Sequence, residues 1–235
     1  VACPADVQDV IAASYPGYTT HGIRQHADGS VAEGAKEELV ELARLASAVA
    51  IGPGLGREPS VGALVQSLLG ELRDRPVVLD ADGLFAVSPF SKEYANRAVP
   101  LVLTPHPGEF ARLTGAERPA TDRQRMEQAT GFAKRYRTVL LLKGAGTLVA
   151  DETRLFRNST GNPGMATGGT GDVLTGVVAA LIAQGLAGFE AAALGAFVHG
   201  RAGDLAAREL GQTALTATDL LDYLPPAFRE LENDW

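Results

Sequence analysis

The residues with the clearest capacity for chemistry lie in the run Asn162-Pro163-Gly164-Met165-Ala166-Thr167-Gly168-Gly169-Thr170-Gly171-Asp172. Its glycines let successive backbone N–H groups turn toward one point. Val173, Leu174, Val177, Val178, Leu181 and Ile182 then repeat with helical spacing, predicting a buried helix from Asp172 to Gln184 with Gly185 as its stop. A helix N-terminus adds partial positive charge to those donors, so the loop is suited to hold an anion such as phosphate. Asp172 stands beside them. A carboxylate facing a bound phosphate is repelled unless it has a task, and the obvious task is to take a proton from an attacking hydroxyl. The competing reading is a helix N-cap, a position that favours Asp in any protein. Spacing alone leaves both open.

Other groups of residues invite the same weighing. In Thr104-Pro105-His106-Pro107-Gly108-Glu109-Phe110, two prolines and a glycine force a rigid turn, and Glu109 opens the next helix, where its charge also suits the dipole. Gly52, Gly54 and Gly56 follow a strand-like run and suit close approach of backbone to a ligand. Their spacing is not the dinucleotide fingerprint, so no Rossmann site is read there. Lys143 ends a buried run, where a cation can meet phosphate while its stem lies along apolar surface. Asp80 and Asp82 sit one residue apart at another strand end, equally suited to Mg²⁺ or substrate contact and to a turn. His21, His26 and His199 show no ligand spacing with one another or with Cys3 and read as ordinary polar residues.

The elements that must position these groups form an α/β pattern. Strand-like runs recur at 48–52, 76–80, 100–104 and 138–143, separated by helix-length segments, which favours a mostly parallel sheet covered on both faces. Val61, Leu64, Val65, Leu68, Leu69 and Leu72 make one helical stripe. Segments 146–151 and 153–157, joined at Asp151-Glu152, predict a hairpin and hence a mixed end to the sheet. Helices are expected near 189–209 and 217–231, the second kinked or divided by Pro225 and Pro226. Val1-Ala2-Cys3-Pro4 reads like the tail of a strand, with something upstream removed. At 235 residues and 46% hydrophobic content, without repeats or linkers, residues 1–235 are expected to form a single domain. A net charge of -7 argues against nucleic acid or an anionic membrane as main partner. The lone cysteine, with no leader or membrane-length apolar run, agrees with a reducing cytoplasm.

Taken together, the motifs resemble the ADP/ATP-dependent NAD(P)H-hydrate dehydratase family of the ribokinase-like fold. The resemblance rests on Ile51 to Gly56, Leu79 to Leu84, Thr104 to Phe110, Lys143 to Thr147 and Gly168 to Asp172, in the family's order over nearly the whole chain. It implies a carbon–oxygen lyase of metabolite repair. The S epimer of hydrated NADH or NADPH would return to the dihydropyridine, with ADP giving AMP and phosphate or ATP giving ADP and phosphate. It makes Asp172 the base and the amides of residues 169 to 172, chiefly Gly169, Thr170 and Gly171, the anion hole. Gly54, Gly56, His106 and Asp172 would line the hydrated substrate. Lys143, Gly144, Ala145, Gly146, Thr147 and Gly171 would hold the nucleotide, and Glu109 would reach Mg²⁺ through water. The resemblance further implies a homotetramer, possible fusion to or cooperation with an epimerase, and an additional opening strand and helix that this chain lacks, leaving one sheet position empty. Two alternatives share these motifs: a small-molecule kinase acting on a vitamin precursor, and a nucleotide-binding protein without catalysis.

Overall fold

The computed structural model describes residues 1–95 and 97–233. The apolar runs become β3 (Val49–Ile51), β4 (Val77–Leu79), β5 (Val102–Leu103) and β6 (Val139–Leu142), four parallel neighbours. The hairpin forms as expected: β7 (Leu148–Ala150) and β8 (Leu155–Arg157) add antiparallel strands and complete the order β3-β4-β5-β6-β7-β8.

Alternation along each strand divides the core in two. Val77, Leu79, Leu103, Leu140 and Leu142 pack against α3 (Pro59–Glu71), α4 (Ala81–Ala86), α5 (Pro107–Thr114) and α6 (Asp122–Tyr136). Val78, Val102, Val139, Leu141 and Val149 pack against α7 (Thr170–Ala183) and α8 (Gly188–Leu210). Both faces are thus covered, as continuously apolar parallel strands require. In α3, Pro59 occupies the first turn and the predicted stripe Val61, Leu64, Val65, Leu68 and Leu69 is buried.

Two expectations need correction. The last helix, α9 (Ala217–Asn233), is not divided at Pro225 and Pro226 but continues through both. Leu220 and Ala227 are fully buried, and Ala227 packs with Val198 and Ala202 of α8, so tertiary packing outweighs the hydrogen bonds the prolines remove. The helix α7 begins at Thr170, before Asp172. Elements at the start of the chain that lacked a clear sequence signal are α1 (Gln8–Ser14), β2 (His21–Ile23) and α2 (Lys36–Leu45). The short β2 pairs in parallel with β1 (Ala2–Pro4) in a separate two-stranded sheet. A cavity of about 1020 Å³ lies between that pair and β3 at the edge of the main sheet, lined by Cys3, Ile23, Val31, Val49 and Leu64 and by the Gly52–Gly56 turn. Among the described residues, no helix is long and apolar enough to cross a membrane.

Candidate active site

Each parallel strand delivers one motif at its C-terminal end: Gly52–Gly56 after β3, Asp80 after β4, Thr104–Glu109 after β5 and Lys143–Thr147 after β6. Open α/β sheets collect functional groups along this edge because every strand releases its chain there.

Asp80 is the most deeply buried charged residue among these groups, 1% exposed. Standing at the N-cap position of α4, its side chain makes no capping bond. Instead its Oδ1 accepts from Lys143 Nζ at 2.8 Å and its Oδ2 from the Thr175 hydroxyl at 2.7 Å. A buried charge survives only when paired and hydrogen-bonded in this way. The backbone is shaped around it: Ala81 adopts a left-handed φ of 47°, and a Cβ on Gly52, itself at φ 146°, would lie 1.7 Å from the Asp80 carbonyl oxygen. Gly52 is therefore required by close packing of the β3 and β4 ends.

The start of α7 abuts this pair. A Cβ added to Gly171 would sit 3.2 Å from Lys143 Nζ and 3.8 Å from Asp80 Oδ2. Gly169, at φ 88°, is the N-cap, and no side chain caps the helix. Among the described residues, the amides of Gly169, Thr170 and Gly171 find no acceptor, whereas that of Asp172 donates to the Gly169 carbonyl at 3.1 Å. The free donors are thus 169 to 171, narrower than the expected 169 to 172.

The capping reading of Asp172 does not hold, because it is the third helical residue and caps nothing. Its side chain is exposed, on the residue that follows the three free donors. Partial burial, and then the like charge of Asp80, push its pKa above the ordinary 3.8, against an opposing pull from Lys143. A carboxylate so raised is a better proton acceptor than an ordinary one.

On α5, His106 and Glu109 form a capping box. His106 Nδ1 accepts from the amides of Gly108 at 2.9 Å and Glu109 at 3.3 Å, and Glu109 Oε2 accepts from the His106 amide at 2.8 Å. Nδ1 as acceptor places the proton of the neutral ring on Nε2, on a side chain 57% exposed. Glu109 is buried, with Oε2 4.0 Å from Lys143 Nζ, so His106 and Glu109 join the Asp80–Lys143 centre. Beyond Lys143, the Thr147 hydroxyl donates to the Gly144 carbonyl at 3.0 Å. Arg125 of α6 donates to the carbonyls of Ala145 at 2.7 Å, Gly146 at 3.2 Å, Leu142 at 3.1 Å and Lys143 at 3.4 Å, fastening the loop from beneath. Gly56 is held through its amide by Asp82 Oδ2 at 3.1 Å, and Asp82 Oδ1 takes the Arg57 Nε at 2.8 Å, so Asp82 serves the turn. Gly54 and Gly56 line the large cavity beside β3, whose walls do not include Asp172.

The sequence reading missed three contributors. Thr175 is a polar residue in an otherwise apolar helical stripe, a signal that was present. Arg125 gave none. His199 was read as ordinary, yet it is 8% exposed and bonded to the Thr170 carbonyl.

Among the described residues, no group of three or more His, Cys, Asp or Glu side chains is placed to hold a metal ion. Both Asp80 oxygens are committed, so these residues fit Mg²⁺ only as an ion carried by nucleotide phosphates, with Glu109 or Asp172 reached through water.

Known proteins are similar to this chain in sequence and fold. A bifunctional NAD(P)H-hydrate repair enzyme Nnr from Moorella thermoacetica is 44% identical over 234 residues, covering 99% of this chain and 44% of its own length. The chain thus spans less than half the length of the curated relatives it matches. The crystal structure of an ADP/ATP-dependent NAD(P)H-hydrate dehydratase from Bacillus subtilis, co-crystallised with ATP and Mg²⁺ and soaked with CoA, superposes with a TM-score of 0.78 at 33% identity, covering 97% of this chain and 78% of that one. A ribokinase-like superfamily protein from Enterococcus faecalis gives a TM-score of 0.78 at 23% identity over 98% of this chain and 76% of its own, a likeness of fold. The model of the NAD(P)H-hydrate dehydratase family matches residues 1–226, and the chain belongs to that family.

Proposed function

We propose that this domain restores NADH or NADPH from the hydrated S epimer at the cost of one nucleotide phosphoryl group. The observation that carries the reading is Asp172, a free carboxylate with a raised pKa beside three amides lacking acceptors, at a helix start packed against the Asp80–Lys143 pair. Asp172 takes the proton of the C6 hydroxyl as its oxygen attacks the terminal phosphorus of ADP or ATP. The nucleotide leaves one phosphate shorter while Gly169, Thr170 and Gly171 hold the transferring group. The phosphate ester then expels inorganic phosphate, with the ring nitrogen supplying the electron pair, and loss of the C5 proton restores the double bond. Phosphate leaves far more readily than hydroxide, which is why a dehydration consumes a nucleotide. Lys143 and the Arg125-braced loop to Thr147 hold the nucleotide; His106, Gly54 and Gly56 face the nicotinamide substrate. Mg²⁺ bound on the phosphates would neutralise part of their charge.

We further propose that the protein assembles as a homotetramer and acts in the cytoplasm. The relatives are named bifunctional and are more than twice as long as this chain, which supports a second activity beside this one; we propose that it is an epimerase. The test is to incubate the protein with hydrated NADH, Mg²⁺ and either ADP or ATP, following dihydronicotinamide absorbance and phosphate by ³¹P NMR. Recovery of absorbance with equimolar inorganic phosphate is expected. No recovery with either nucleotide contradicts the proposal, and a stable phosphorylated product would indicate the small-molecule kinase instead.

A further inference from the structure

The glycine loop does not hold its shape alone; one face of α8 grips it along its length. Asn158 Nδ2 donates to the Ala196 carbonyl at 3.0 Å, and the Thr160 hydroxyl to the Phe197 carbonyl at 2.8 Å. Asp204 accepts from the Gly161 amide at 2.9 Å and from Asn162 Nδ2 at 3.0 Å. Glycines on α8 make the approach possible: a Cβ on Gly200 would lie 2.3 Å from the Thr160 hydroxyl oxygen, and one on Gly203 would lie 2.2 Å from Met165 Sδ. Thr170 is tied to the same loop, its hydroxyl donating to the Met165 and Thr167 carbonyls, each at 3.0 Å.

The last contact in this series is buried His199, whose Nε2 lies 2.9 Å from the Thr170 carbonyl oxygen. A carbonyl only accepts, so Nε2 carries the proton. The Thr170 carbonyl belongs to the peptide plane whose N–H is that of Gly171, and in a trans peptide the two groups point in opposite directions. Holding the oxygen therefore fixes where the Gly171 N–H points, and withdrawing charge from the oxygen strengthens that N–H as a donor. We infer that His199 is a positioning residue for the anion hole, aiming and polarising the Gly171 amide through the Thr170 carbonyl. This rests on the reading of Gly171 as a phosphate-binding donor. Burial lowers the His199 pKa to about 4, keeping the ring neutral and this geometry unchanged at ordinary pH.

The experiment compares wild type, His199→Leu, which has no donor, and His199→Gln, which retains one. In the repair assay, the Leu variant is expected to lose about 10-fold or more in kcat with nucleotide KM changed less than about threefold, and the Gln variant to recover most of the loss. In parallel, ¹⁵N–¹H spectra of the unliganded proteins are expected to show the Gly171 amide displaced in the Leu variant and near its wild-type position in the Gln variant. A Gly171 resonance unmoved by His199→Leu overturns the inference, as does a kcat within twofold of an active wild type, or a Gln variant no better than Leu. An inactive wild type counts against the dehydratase reading alone, and the amide resonances then decide the role of His199.

Discussion

As the proposed base, Asp172 would work only while ionised, and its environment sets when that is. Partial burial and the neighbouring Asp80 charge raise its pKa, so the acid limb of the turnover profile is expected to bend above the ordinary 3.8. A kcat–pH series would show it, and replacing Asp172 by Asn should remove the limb. Asp80 is predicted to matter through Lys143. Asp80→Asn takes from a partly buried ammonium the nearer of its two counter-charges, costing about 3 kcal/mol, the low end for a broken buried pair because Lys143 keeps Glu109 at 4.0 Å and some access to water. Urea unfolding gives that cost directly, and nucleotide affinity should fall with it; unchanged stability would mean that Lys143 finds another partner. The two aspartates were unequally legible. Asp172 lies beside the glycines that give it meaning, whereas Asp80 acquires its role from Lys143 and Thr175, 63 and 95 positions away. No local pattern joins residues so far apart; the family resemblance brought in the segments holding Asp80 and Lys143 and left Thr175 out.

At the scale of elements, the site is a meeting of strand ends with one helix start, and small residues hold the spacing. Gly52→Ala places a Cβ against the Asp80 carbonyl backbone in a φ region hostile to side chains. A loss of about 3 kcal/mol or more is expected, read as a lowered thermal midpoint. Gly171→Ala is milder because its Cβ meets the flexible end of Lys143 at 3.2 Å. It should fold normally and lower turnover about tenfold by disturbing an anion-hole donor; unchanged turnover would separate the helix start from the Lys143 pair. Strands β3 to β8 were legible because continuous apolar runs with turn residues between them admit few other readings. The first elements were not. Apart from β1, whose strand character was read at Val1 to Pro4, β2 is three residues long and α2 buries only Val40 and Ala43, so their form depends on neighbours that a linear reading does not supply. Likewise, Pro225 and Pro226 suggested a kink or a division, and packing on α8 keeps the helix in one piece.

Over the whole molecule, one buried ring links the site to stability. The His199 pKa falls from 6.5 to about 4, first through burial and further through the positive charge of Lys143. Between those values the unfolded chain binds a proton that the folded chain refuses, so stability declines as pH drops through this window, by at most about 3 kcal/mol. Thermal midpoints from pH 7 to 4.5 should fall less steeply for His199→Gln than for wild type. Covered sheet faces, motifs at the C-terminal strand ends and an acidic surface all agree with a small-molecule enzyme whose anion site is local. The most direct test of the central claim pairs Asp172→Asn with wild type, measuring turnover of hydrated NADH beside nucleotide affinity by calorimetry. Turnover lower by about 10²-fold or more with affinity changed little is the predicted result. Comparable turnover in the two proteins would contradict the assignment of Asp172 as the base.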